Sequence, residues 1–202
     1  MINHLQTLTR NAGDVLMFIF CDYKERREQT YANLIASLLS QLLQERCERL
    51  GDSRKRFSVS EHVRKLYERH IQAETRPSNE EFLETLKIEI DQFYLSAFIV
   101  LDALDEGPED EGIQHNLVSN LQNLGAVRLL VTSRDLPPIS RLMTGVPRLP
   151  IQARDDDIGK YIASRLSTTP RLWRLLEGNL ELREILIPTL KSSCSGMRVP
   201  SQ

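Results

Sequence analysis

Apolar and polar positions alternate along this chain in two distinct rhythms, and those rhythms divide it into strands and helices. "VLMFIFCD" (15–22) is a short, β-prone apolar run ending in an acid, with Gly13-Asp14 before it, which predicts a buried strand. "LIASLLSQLLQERCERL" (34–50) carries apolar pairs at Leu34/Ile35, Leu38/Leu39 and Leu42/Leu43, the spacing of a helix with one broad apolar stripe, stopped at Gly51. A second helix is predicted near 59–74, with Val59, Val63, Leu66, Tyr67 and Ile71 on one face. A third opens at the capping box Ser78/Glu81 and carries Phe82, Leu83, Leu86, Ile90 and Phe93. Strands follow at 97–102 and 127–133, separated by a helix at 113–124. Pro137-Pro138 breaks the chain ahead of a short helix, and "RLPIQ" (148–152) is expected as one more strand. "DDDIGKYIASRL" (155–166) starts with acids that suit a helix N-terminus, followed by Leu-rich helical segments at 171–178 and 179–191. The basic "RKR" of 54–56 reads as a solvated loop and "SSCSGMRVPSQ" (192–202) as a disordered tail.

Strands alternating with helices indicate an α/β fold with a parallel sheet, and near-continuous apolar strands are those of a sheet covered on both faces. Composition adds limits. The 202 residues carry a formal charge of −2, so no global field attracts nucleic acid or anionic lipid. No apolar run approaches the roughly 18 residues of a membrane span, and "MINHLQTLTR" lacks a signal-peptide core. Cys21, Cys47 and Cys194 are odd in number and irregular in spacing, which suits a reducing compartment and not a disulfide framework or zinc site. A cytosolic or nuclear protein is expected, without nucleic-acid or membrane partners.

Ligands of parallel α/β sheets bind at the carboxyl ends of strands, where Asp102 and the group Thr132-Ser133-Arg134 both fall. In "AFIVLDALDEG" (97–107) a buried strand runs into Asp102, with Asp105 and Glu106 on the turn beyond. A carboxylate leaving a buried strand can hold Mg²⁺, largely through water. An acid just past it can orient a water for attack on a γ-phosphate, and Arg134 on a neighbouring strand end could contact that phosphate. Plain alternatives exist for each: a turn-capping aspartate, solvated turn acids, a surface arginine. His4, His62, His70 and His115 have no ligand spacing and read as structural, and Asp155 to Asp157 read as helix N-terminal charges.

"FIVLDALDEG", followed about 25 residues later by "LLVTSRD", resembles Walker B and sensor 1 of NACHT domains, the signalling P-loop NTPases of the STAND class. "FIFCDYKERREQT", "LIASLLSQLL", "VRKLYERH" and "IQARDDDIGKYIASRL" are similar to the fungal, nephrocystin-like or NACHT–ankyrin branch, and the resemblance covers roughly residues 2 to 191. It implies that Asp102 is the Mg²⁺-linked acid, Asp105 and Glu106 the water-orienting acids, and Arg134 the sensor arginine that meets nucleotide. It further implies Mg²⁺ and ATP or GTP as cofactors of the full-length family, and a strand order 5-1-4-3-2 in which the strands at 15–22, 97–102, 127–132 and 148–152 are numbers two to five. The expected organisation is a partial nucleotide-binding domain over 1–152, the start of a helical domain over 153–191, and the tail.

The departure is the phosphate loop. G-x-x-x-x-G-K-[ST] supplies backbone N–H groups and a lysine to the phosphates, and it does not occur in these 202 residues. Gly159-Lys160 is followed by Tyr161 inside a predicted helix and does not substitute. "NHLQTLTRNAGD" resembles the tail of the P-loop helix, so Met1 is expected to fall after the loop and its strand. The expected fold is therefore an incomplete P-loop-like parallel sheet flanked by helices, with a helical C-terminal segment. The expected protein is a NACHT-type signalling module that binds no nucleotide tightly by itself. The alternatives are a non-catalytic interaction module, which pairs with other NACHT-containing chains or with itself, and a non-functional fragment.

Overall fold

The computed structural model describes residues 13–50, 59–108, 110–151 and 155–169, with positions 5–7, 9, 179, 182, 185, 186 and 188–190. Two compact units divide it, 1–144 and 145–202. The expectations for 54–56, 171–178 and the tail 192–202 lie outside the described residues.

In the first unit, β1 (Val15–Phe20), β2 (Ala97–Asp102) and β3 (Val127–Val131) form an all-parallel sheet in the order β1-β2-β3. The strands taken as two, three and four of the expected order are thus neighbours. Register pairs Val15 with Ala97 and Phe20 with Asp102, and Ala97 with Val127. Between β1 and β2 run α1 (Tyr31–Leu50), α2 (Glu61–Ala73) and α3 (Asn79–Phe93); α4 (Glu111–Gln122) joins β2 to β3. α1 starts three residues earlier than its apolar pairs suggest, because Thr30 caps it: Asn33 N–H donates to Thr30 Oγ1 at 3.3 Å. α3 opens with the full Ser78/Glu81 capping box. Pro137 and Pro138, expected as a break, are the first turn of α5 (Pro137–Leu142), where a missing N–H costs nothing.

Crossovers of one hand that step the same way across a sheet place their helices on the same face. Val15, Met17, Ile19, Ala97, Ile99 and Leu101 accordingly point into one core with Ile35, Leu38 and Leu42 of α1, Leu86 and Ile90 of α3, and Leu117 and Leu121 of α4. The opposite face carries Leu16, Phe18, Phe20, Phe98, Val100 and Leu130. There Phe20 is 55% and Leu130 42% exposed while Val100 at the centre is buried, so among the described residues that face is covered in part and the reading of two fully covered faces holds completely for one. Apolar strand composition reports what a face can bury, and the order of the crossovers decides which face these helices reach.

α2 also departs from its pattern. Only Leu66 is buried, and Tyr67 and Ile71 stand exposed. Its start is instead tied by polar contacts: Ser60 caps Val63 N–H and hydrogen-bonds the fully buried Glu89 of α3, which pairs with Arg46 of α1 at 3.2 Å.

In the second unit, residues 148–151 form no strand, against the expectation for 148–152, whose last residue lies outside the described ones. Pro150 removes a ladder donor in mid-segment, and Leu149 and Ile151 remain exposed. α6 (Asp155–Thr168) begins at the expected acids, and its buried Ile158 and Ile162 pack with Leu182, Leu186 and Leu190.

Candidate functional site

The strand ends gather the acids and the arginine through local geometry that the backbone dictates. β2 stops at Asp102 because Ala103 turns into the left-handed region, φ 53°, which an L-residue adopts only at a cost. A single 3₁₀ turn, Leu104–Glu106, follows and is pinned by Leu104, which is buried in the core. The reversal is held from the next strand by Thr132. Its N–H donates to Leu101 O and its carbonyl accepts from Leu104 N–H, each at 2.9 Å. The Thr132 hydroxyl accepts from Ala103 N–H at 2.9 Å and donates to Asp102 Oδ1 at 2.5 Å.

One turn on, Asp105 reaches across to the segment after β3. Its Oδ1 accepts from Arg134 N–H at 2.9 Å and its Oδ2 from Arg134 Nε at 2.5 Å. The Asp105 side chain is 3% exposed while that of Arg134 is 65% exposed. Burial pushes the Asp105 carboxyl up, but the hydrogen bonds and charge of Arg134 outweigh it and leave it below its ordinary value. Arg134 is correspondingly raised by its hydrogen bond to Asp105.

The loop after β1 closes the third side. Arg26 Nε donates to Glu106 O at 3.2 Å, and Gln29, 7% exposed, donates to Asp22 O at 3.1 Å while its Oε1 has no partner among the described residues. Buried Cys21 lies against the same turn, where a Cβ on Gly107 would come within 3.3 Å of its sulfur. Burial, then the charges of Asp102, Asp105 and Glu106, push the Cys21 thiol up to about 11.

Asp102, Asp105, Glu106 and Arg134 are therefore brought together, and Asp105 and Arg134 are joined directly. Asp102 shares its register row with Phe20 and so emerges on the half-open face. No cluster of three metal-ligating side chains occurs among the described residues. One strand-end carboxylate with a hydroxyl beside it fits a Mg²⁺ that keeps most of its waters, not a cation caged by protein. The α2–α3 cleft is separate, and its Arg69 and Lys65 are paired with Glu81 and Glu61.

Cys21 and Arg26 escaped assignment to the site from the sequence, and Thr132 was placed at a strand end but given no role. A threonine ending one apolar strand, opposite an acid ending another, was the available signal for Thr132. Only the β2–β3 register shows that the two meet.

The fold defines an α/β protein with a three-stranded all-parallel sheet flanked by helices, consistent with an incomplete P-loop-like fold. Residues 1–134 match the family described as nephrocystin 3, N-terminal, and the chain belongs to that family. No curated protein and no solved structure matches it. No helix among the described residues is long and apolar enough to cross a membrane.

Proposed function

We propose that this chain is the hydrolysis side of a NACHT-type nucleotide switch in an intracellular, cytoplasmic signalling protein of the STAND class. The convergence of Asp102, Asp105, Glu106 and Arg134 at two adjacent strand ends supports the reading most directly. Asp102 would hold Mg²⁺, and the ion would supply charge neutralisation for the β- and γ-phosphates of ATP or GTP. An acid of the following turn orients the attacking water, and Arg134 meets the γ-phosphate. β3, paired by β2 on one side only among the described strands, offers an edge for the strand that leads into a phosphate loop.

These 202 residues contain no G-x-x-x-x-G-K-[ST], so they lack the main anchor for a triphosphate. Calorimetry of residues 1–202 with Mg²⁺ and ATP or GTP should find no dissociation constant below about 1 mM, a loss of several kcal/mol against micromolar binding. In a chain that carries the loop ahead of Met1, Asp102→Ala should abolish Mg²⁺-dependent binding or turnover. Arg134→Ala should there lower turnover more than affinity. Hydrolysis at the parent rate by both variants overturns the assignment.

A second reading, a non-catalytic module that binds related chains or itself, draws on the exposed Phe20, Leu130, Tyr67 and Ile71. Sedimentation of the chain distinguishes it, since concentration-dependent association lost in Phe20→Ser favours this reading. The genomic sequence before Met1 also bears on the choice. An in-frame phosphate loop there favours the switch.

A further inference from the structure

Two acids follow Asp102 on the turn, and the geometry treats them differently. Both oxygens of Asp105 are directed at Arg134, one to its main-chain N–H and one to Nε. Its side chain is nearly buried, so little of the carboxylate faces water. Glu106 lends only its carbonyl, to Arg26, and its carboxylate makes no hydrogen bond among the described residues. Arg134 uses its main-chain N–H and Nε on Asp105, and neither Nη group is hydrogen-bonded among the described residues. The exposed end of the guanidinium is thus left over while its stem is fixed.

We infer that Asp105 is a positioning residue: it clamps the Arg134 stem across the β2–β3 ends and presents the two Nη groups to a phosphate. This rests on the nucleotide reading and deepens it. Three consequences follow from the donor inventory. Guanidinium offers five N–H donors in a rigid fork, so engaging Nε leaves the Nη pair aligned for bidentate contact with an oxyanion. A carboxylate that already accepts two hydrogen bonds at an enclosed site is poorly placed to take a proton from water. The water-orienting role therefore falls to Glu106. The main-chain bond from Arg134 adds directionality, because it fixes the backbone from which the arginine leaves as well as the side chain.

The test uses the full chain with ¹⁵N-labelled arginine and sodium triphosphate plus Mg²⁺ as the probe. The Arg134 Nε–H resonance should lie downfield and exchange slowly with solvent, and triphosphate should perturb Arg134 in the millimolar range. Asp105→Asn, which keeps the side-chain volume, and Asp105→Ala should both return Nε–H to fast exchange. Each should weaken the triphosphate response about tenfold, the size of one charge-assisted hydrogen bond. A purely structural role would alter stability and leave the triphosphate response of the folded fraction in place. Tighter triphosphate binding in either variant overturns the inference, because Asp105 would then mask Arg134 and not present it. A parent chain whose Nε–H already exchanges fast overturns the clamp. A parent chain with the resonance intact and no response to triphosphate overturns the presenting role, whereas the nucleotide reading is overturned separately by the Asp102→Ala and Arg134→Ala variants of the chain that carries the loop.

Discussion

Replacing Gln41 with leucine should weaken the sheet at an edge that no strand covers among the described residues. In a parallel ladder, successive N–H groups of one strand point alternately to its two sides. Val15 N–H donates to Ser96 O and Cys21 N–H to Asp102 O, so the odd residues of β1 face β2 and Phe18 faces outward. There, the Gln41 side chain of α1 takes the place of a neighbouring strand: Phe18 N–H donates to Oε1 at 2.9 Å, and Nε2 donates to Phe18 O at 2.8 Å. Leucine is apolar, ends one atom short of the amide oxygen and nitrogen, and satisfies neither group. An unpaired buried polar group costs about 1–3 kcal/mol, and these two are partly buried, so about 2–3 kcal/mol is expected for the pair. For a chain of this length that corresponds to a fall in Tm of roughly 4–12 °C. Gln41→Glu keeps an acceptor for Phe18 N–H and should lose less in a urea melt. Amide exchange gives the local readout, since Phe18 N–H should be protected in the parent and freed in Gln41→Leu. Retained protection at Phe18, or a melt within about 0.5 kcal/mol of the parent, would refute the edge-sealing argument.

Ala103→Val should cost about 1–2 kcal/mol in a denaturant melt, because a β-branched side chain suits the left-handed backbone at this turn poorly; an unchanged midpoint would place the turn elsewhere. The Cys21 thiol, raised from 9.0 to about 11, stays protonated in the folded chain while the unfolded chain ionises. Stability should therefore be full below pH 9 and fall by about 2–3 kcal/mol towards pH 11, a slope that Cys21→Ala removes. Peptide mapping after iodoacetamide at pH 8 should find exposed Cys47 modified well before buried Cys21; equal rates would contradict that enclosure. Asp105 lies below its ordinary 3.8, so its contribution is complete above that pH and is lost as pH falls through its lower folded value. An acid melt should show the parent losing more stability than Asp105→Asn below about pH 4.

Most elements of this protein were legible in its sequence because each is set by neighbours along the chain. The apolar runs at 15–20, 97–102 and 127–131, the paired leucines of α1 and the Ser78/Glu81 cap act over a few residues and carry their own signal. The strand-end acids were legible for the same reason, since Asp102, Asp105 and Glu106 lie within five residues. Where the pattern misled, longer-range contacts had decided the matter. The stripe on α2 forms a helix but finds little to cover it, and on the face of the sheet away from the crossover helices Val100 is buried while Phe20 and Leu130 stay exposed. Tertiary structure alone set the pairings across the site. Asp105 and Arg134 are 29 residues apart, as are Ala103 and Thr132, and nothing local fixes which acid takes the arginine. The β2–β3 register does, by bringing two strand ends level and leaving one carboxylate enclosed and the next free. Gln41 is the clearest case. In the sequence it is one polar residue among leucines, and only the packing of α1 beside β1 gives its amide a backbone to complete.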